Sequence, residues 1–145
     1  MSTYTHLLLA VDFSRNTDEV ITKGLALAKA FEARLSLVHV VEFAQVDLSN
    51  ELVMPQELEL DQELLVLAEK RLQDLADKFG LHNDARFVRQ GSTKREILNI
   101  AEDEAIDLIV IGSHGREGLQ LLLGSTANAV LHGAPCDVLA VRVRD

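Results

Sequence analysis

The chain alternates between short apolar runs and longer segments in which apolar residues recur at every third or fourth position. His6-Leu-Leu-Leu-Ala-Val-Asp12 opens the series, an apolar run that ends on an acid. It is too short for a helix and suits a strand covered on both faces. Behind it stand Ser14, Asn16 and Thr17, all competent helix caps, then Val20, Ile21, Gly24, Leu25, Leu27, Ala28 and Phe31 at helical spacing; this predicts a first helix. Arg34–Val41 reads as the second strand, apolar through its later half. Glu42 to Pro55 has no period and an acidic middle, so it predicts a long loop of the kind that often carries function. From Gln56 a helical stripe resumes with Leu65, Ala68, Leu72, Leu75, Ala76 and Phe79, opposite Glu69, Lys70, Asp74 and Lys78, and Gly80 closes it. Ala85–Arg89 alternates weakly and carries charge, as an edge strand does. Thr93-Lys-Arg-Glu96 reads as a capping box for a third helix with Ile97, Ile100 and Ala101 facing inward. Asp107–Ile111 is a fourth strand, a fourth helix over Ala127–His132 stops at Gly133-Ala-Pro135, and Cys136–Val143 is a fifth strand.

Five strands alternating with four helices predict an α/β fold, a doubly wound, Rossmann-like parallel sheet. With strand order 3-2-1-4-5 the winding reverses between strands one and four, and ligands of such sheets sit beyond the carboxyl ends of the strands at that point. Asp12 and the segment after Ile111 would then face one crevice.

The size of the chain, 145 residues with 48% hydrophobic content, suits a single domain over residues 1–145 with a self-sufficient core. A single cysteine, Cys136, rules out an internal disulfide and reads as a small residue entering a buried strand. The formal charge of −9, without a basic cluster, argues against nucleic acid. It also leaves a bound polyphosphate short of counter-charge, so a divalent cation carried in by the ligand is expected. Met1–His6 lacks a basic leader and Leu7–Val11 is too short to span a bilayer, so no membrane contact and a cytoplasmic location are expected.

The chemistry concentrates in Asp107–Thr126. Gly112, Gly115, Gly118 and Gly124 follow the buried strand within thirteen residues, and Gly124-Ser125-Thr126 precedes the helical pattern. A strand, a glycine-rich loop and a helix start bind anions, because backbone N–H groups point outward and the helix dipole favours negative charge. The pattern is neither of the two commonest phosphate motifs. No lysine lies between Gly112 and Thr126, which excludes the P-loop, and Asp12-Phe-Ser-Arg occupies the turn where a dinucleotide fingerprint would stand. The individual residues also have plainer readings. Asp12 can cap the turn or helix that follows it, and Ser125 and Thr126 can serve as caps without a ligand. His114 is a lone loop histidine with no partner at fixed spacing, His39 a core histidine on a buried strand, and Arg116 either a phosphate contact or a solvent-facing cation. Leu121–Leu123 pack the start of the last helix.

Together these residues resemble the universal stress protein family. The likeness rests on Ala10-Val-Asp-Phe-Ser14, Leu37-Val-His-Val40, Glu96-Ile-Leu98, Asp107-Leu-Ile-Val-Ile-Gly-Ser-His-Gly115, and Gly124-Ser125 through Ala134-Pro-Cys136 to Val143. It implies a fold of the adenine nucleotide alpha hydrolase-like type. For family members that bind ATP it implies that Gly112, Gly115, Gly124, Ser125 and Thr126 hold phosphates and ribose. Asp12 and the Val40 backbone would meet the adenosine half, Ala10 and Val11 would line its pocket, and Ile111 and Arg116 would flank the phosphate loop. It further implies ATP, or AMP or ADP, with Mg²⁺ or Mn²⁺ held through the phosphates, and a homodimer paired through the C-terminal strand. One departure stands out: eight residues, Arg116–Leu123, separate Gly115 from Gly124, where the ATP-binding pattern has nine. The shorter spacing is shared with members that do not bind ATP, which lack most of the glycines. Three readings follow: a nucleotide-binding dimeric regulator of the stress response, a stress-response dimer without nucleotide that acts through protein partners, or an enzyme, a phosphoacceptor or nucleotide hydrolase using Asp12. No nucleophile–base pair or acid–base dyad supports the last, so at most slow ATP hydrolysis or autophosphorylation is expected.

Overall fold

The structure, a computed structural model, describes residues 3–14, 16–42, 55–81, 85–113 and 124–142. Its elements alternate throughout: β1 (His6–Ala10), α1 (Thr17–Phe31), β2 (Arg34–Val41), α2 (Pro55–Lys78), β3 (Ala85–Gln90), α3 (Thr93–Asp103), β4 (Leu108–Gly112), α4 (Ser125–Gly133) and β5 (Asp137–Val141). The strands form one parallel sheet in the order β3-β2-β1-β4-β5, the predicted architecture. The central strands are apolar on both faces because helices cover both. Leu7, Leu9 and Val11 pack with Val20 and Ile21 of α1 and with Leu72 and Ala76 of α2. Leu8 points the other way, into a cluster with Ile97 and Ala101 of α3 and Ala127 and Val130 of α4. The alternation of Cβ direction along a strand assigns successive residues to the two layers. β3 and β5 are the edges, as the charged residues of Ala85–Arg89 foretold for the first of them.

Gly24 shows how closely α1 lies on the sheet. A Cβ at that position would stand 2.6 Å from both terminal methyl carbons of Leu9, a fully buried side chain. α2 closes as its glycine suggested, with Gly80 in the left-handed region at φ 72°. α3 differs by one residue from the expected capping box: the N-cap is Ser92, whose Oγ accepts from Arg95 N at 3.4 Å. Thr93 is therefore the first helical residue and its hydroxyl is released for another partner. α4 begins earlier than its apolar period indicated, at Ser125, because the polar residues Ser125 and Thr126 are helical positions themselves.

The amino end of the sheet is fastened by polar groups. The Asp107 carboxylate accepts from Thr5 N at 2.7 Å, Thr5 Oγ1 at 2.8 Å and His6 N at 3.0 Å, while Asp107 N donates to His6 O at 3.0 Å. This ties the start of β4 to the start of β1. Burial works against the Asp107 charge, but these donors prevail and hold its pKa below the usual carboxylate value. His6 is only 5% exposed; its Nε2 lies 2.8 Å from Ser36 Oγ and its Nδ1 lies 3.2 Å from Glu104 O. Nδ1–H donates to the carbonyl, so Nε2 accepts from the serine hydroxyl and the ring is neutral. Burial, aided by the Arg34 charge, pushes the His6 pKa down.

Two outcomes follow from this packing. Gly24→Ala gains up to about 1 kcal/mol in helix propensity but must displace Leu9, an overpacking cost of about 1–3 kcal/mol. Thermal unfolding is expected to show a net loss and a lower Tm; a Tm equal to or above wild type contradicts the close approach. The second outcome concerns pH. A lowered folded-state pKa for His6 means that the unfolded chain binds the proton more readily. Stability should therefore fall as pH drops below the ordinary histidine value of 6.5. The drop in Tm between pH 7 and 5 should be smaller in His6→Gln, and an unchanged slope would show that His6 does not titrate against the fold.

Candidate functional site

The site is set by the sheet. Ala10 of β1 lies opposite Ile111 of β4 on one side and Val38 of β2 on the other. Beyond those pairs α1 departs over one face and α4 over the opposite face, which parts the chain above the β1–β4 boundary. The two segments singled out for their chemistry thus leave the sheet side by side.

On the β1 side, Val11 N still donates to Val38 O at 2.9 Å, and the chain then turns sharply. Asp12 Oδ1 accepts from Ser14 N at 3.0 Å and lies 3.4 Å from the Thr17 hydroxyl. The carboxylate therefore organises the turn into α1. It does not act as the N-cap, a place held by Asn16 without a side-chain hydrogen bond. Phe13 adopts φ 60°, a left-handed conformation that costs a side-chain-bearing residue energy and must be held by its surroundings. The surroundings are a stack: its ring centroid is 4.1 Å from that of His39, and the Arg71 guanidinium lies 4.7 Å from the ring centroid. His39 Nδ1 lies 2.7 Å from the Val11 carbonyl, so the half-buried histidine works as a structural donor at the base of the turn.

On the β4 side, Ser113 N donates to Val141 O at 2.8 Å and Ser113 O accepts from Gly124 N at 2.6 Å. Both ends of the glycine-rich segment are thereby pinned at one point beside β5. Gly124 is the N-cap of α4 and provides no side-chain cap; the first intrahelical bond runs from Asn128 N to Gly124 O at 2.9 Å. Ser125 and Thr126 thus begin the helix and do not cap it. Among the described residues no side chain caps this helix start, where the first-turn amides and the positive end of the helix dipole favour an acceptor.

Val11 is packed into the core under α1 and α2, while Val40 and Ile111 are packed into the core under α3 and α4. With these side chains committed to packing, only their backbone atoms and the half-buried Ala10 and Gly112 remain to meet a ligand. Gly115, Arg116, Gly118, His114 and Leu121–Leu123 lie outside the described residues, as does the loop expected between Glu42 and Pro55, apart from its two end residues. Cys136 is half-buried at the start of β5 and burial pushes its thiol pKa up, in keeping with an inert packing residue.

The sequence reading passed over one part of the site. An open cavity of about 440 Å³ lies against the start of α4, lined by Ser125, Thr126, Ser92, Thr93, Lys94 and Glu42 among others. The Thr93 hydroxyl donates to Glu42 Oε1 at 2.9 Å. Placing the α3 cap on Thr93 hid this bond; Gly91-Ser92, a turn glycine followed by a good capping residue, was the signal for the correct start. Among the described residues no group of three or more His, Cys, Asp or Glu side chains could hold a metal ion, and no helix is long and apolar enough to cross a membrane.

Comparison with known proteins agrees with this fold. The family model for the universal stress protein family matches residues 3–142. Universal stress protein A homolog 1 of Coxiella burnetii is 39% identical over 142 residues, covering 98% of this chain and 99% of the relative. The solved structure of universal stress protein UspA from Lactobacillus plantarum superposes with a TM-score of 0.80 at 26% identity, covering 97% of this chain and 98% of that one. A universal stress protein crystallised in complex with cAMP shares the fold, with a TM-score of 0.68 at 20% identity over 97% of this chain and 98% of that one. On the whole-chain family match, the extent of identity and the strand order together, the chain belongs to the universal stress protein family.

Proposed function

We propose that this protein binds an adenine nucleotide in the crevice between the ends of β1 and β4 and acts as a cytoplasmic homodimeric regulator of the stress response. The observation that carries this reading is the start of α4. Its first-turn amides have no side-chain cap, they stand beside an open cavity, and the strand ends at the winding reversal lead to them. Gly112, Gly124, Ser125 and Thr126, with Gly115 and Arg116, hold the phosphates. Asp12 and the backbone at Ala10, Val11, Val40 and Ile111 meet the nucleoside. Mg²⁺ or Mn²⁺ arrives on the phosphates and offsets the charge deficit of a chain at −9. A universal stress protein of the same fold has been crystallised in complex with cAMP, which supports an adenine nucleotide as the ligand. Among the described residues β5 pairs on one side only, and its Leu139 is 39% exposed; pairing with a second copy would satisfy the other edge.

Gly124→Asp separates ligand binding from folding. The position has φ −58° and ψ 154°, open to any residue, so the new carboxylate can cap α4 while placing a negative charge where the phosphates would sit. Calorimetry with Mg-ATP is expected to show saturable binding to wild type and a loss of at least ~10-fold in Gly124→Asp, the cost of about 1.4 kcal/mol, with Tm maintained or raised. Equal affinity in the two proteins, or no heat from wild type up to millimolar Mg-ATP, contradicts the reading; the second result favours a dimer working through protein partners. In sedimentation, Leu139→Lys is expected to convert the dimer to monomer, and a dimer that persists would remove β5 from the interface.

A further inference from the structure

α2 carries two apolar stripes, although packing on the sheet accounts for one. Ala68, Leu72 and Ala76 are buried, and Leu72 and Ala76 belong to the layer over β1 and β2. On the opposite side of the helix Glu63, Val66, Leu67 and Lys70 are all exposed and stand at i, i+3, i+4 and i+7, the spacing of a single helical face. Val66 is 66% exposed and Leu67 50%, the two highest values among the described large apolar side chains. Leu60, seven residues before Leu67, is exposed as well and lengthens the stripe. Exposed apolar residues that adjoin one another and are rimmed by charge mark an interaction surface.

The rim charges specify what that surface meets. Glu63 lies three residues before Val66 and Lys70 three residues after Leu67, so opposite charges stand at equal distances from the apolar centre. A second copy laid parallel on this stripe would set Glu63 on Glu63 and Lys70 on Lys70, which repels. Laid antiparallel about a two-fold axis at Val66–Leu67, each Glu63 meets the Lys70 of the other copy, and symmetry forms the pair twice. Among the described residues the ion pair of α2 joins Lys78 to Asp18 of α1, 2.6 Å apart, and involves neither Glu63 nor Lys70. α2 packs on β2 and β3, at the sheet edge opposite β5. Pairing through this stripe therefore does not compete with pairing through the β5 edge.

We propose that the exposed stripe of α2 is a self-association surface, on which two copies pair their helices antiparallel across Val66 and Leu67 with Glu63 of each against Lys70 of the other. One helix face is small beside the about 1,200–2,000 Å² of a stable interface. The contact is accordingly a weak one that brings together units held by a larger interface, two β5-paired dimers in the assembly proposed above.

Sedimentation at low ionic strength over a range of concentrations tests this on wild type, Glu63→Lys, Lys70→Glu and an equimolar mixture of the two variants, with Tm measured on each protein to confirm folding. The average mass of wild type is expected to rise with concentration toward about twice the mass at which each variant stays. Each variant alone sets like charges across the axis. In the mixture the lysines of one variant face the glutamates of the other, so the wild-type mass should return. The two substitutions move the net charge of −9 in opposite directions. A general charge effect would therefore separate them, whereas the pairing requires both to lose association. Equal masses for wild type and both variants overturn the proposal and leave the stripe to a different protein. Loss of association in one variant only overturns it, as does a mixture no heavier than its components.

Discussion

Parallel pairing of β1 with β4, with helices leaving on opposite faces, is the constraint on which the rest of this structure depends. Parallel neighbours end at the same edge of the sheet, so their connections must rise from adjacent points and then diverge. Ala10 opposite Ile111 fixes where this happens, and the fully buried Leu7, Leu8 and Leu9 anchor β1 in both apolar layers. The divergence of the two connections above the boundary is a product of the winding. What chemistry it can perform depends on how each connection is pinned.

The two connections are pinned by different means. The β1 turn places a left-handed Phe13 between His39 and Arg71 and spends an Asp12 oxygen on its own backbone. The β4 turn is gathered by two backbone hydrogen bonds at Ser113, and its helix starts at a glycine that provides no side-chain cap. A left-handed backbone held by stacked rings sets one side of the boundary, and a helix start without a side-chain cap sets the other. At the opposite end of the sheet, Asp107 and His6 secure the same two strands, so the pair is held at both ends.

Most of the architecture was legible because the apolar periods are long and the punctuation is clear. Gly80 marked the end of α2, and the double-faced apolar runs marked β1 and β4 as central strands. Element ends were less legible where polar residues had more than one competent role. Thr93 and Ser92 are both good caps, and only tertiary packing at Gly91 and Val41 decides between them. Ser125 and Thr126 were readable as caps, yet Gly124 takes that place and the helix starts without a side-chain cap. Glu42 gave no signal because it follows a strand and opens an aperiodic stretch. Its contact with Thr93, fifty-one residues away, forms only in the fold. The burial of Val40 and Ile111 was foreseeable from their runs, though not the consequence that only their backbone atoms remain for a ligand.

An amide-resolved NMR titration with Mg-ATP tests the crevice most directly, because it reads location as well as binding. The account predicts that the largest shifts fall at Asp12, Gly112, Ser113, Gly124, Ser125 and Thr126, while the amino-end anchor around Thr5, His6 and Asp107 stays unperturbed. Shifts centred elsewhere on the fold, or none up to millimolar nucleotide, would contradict it.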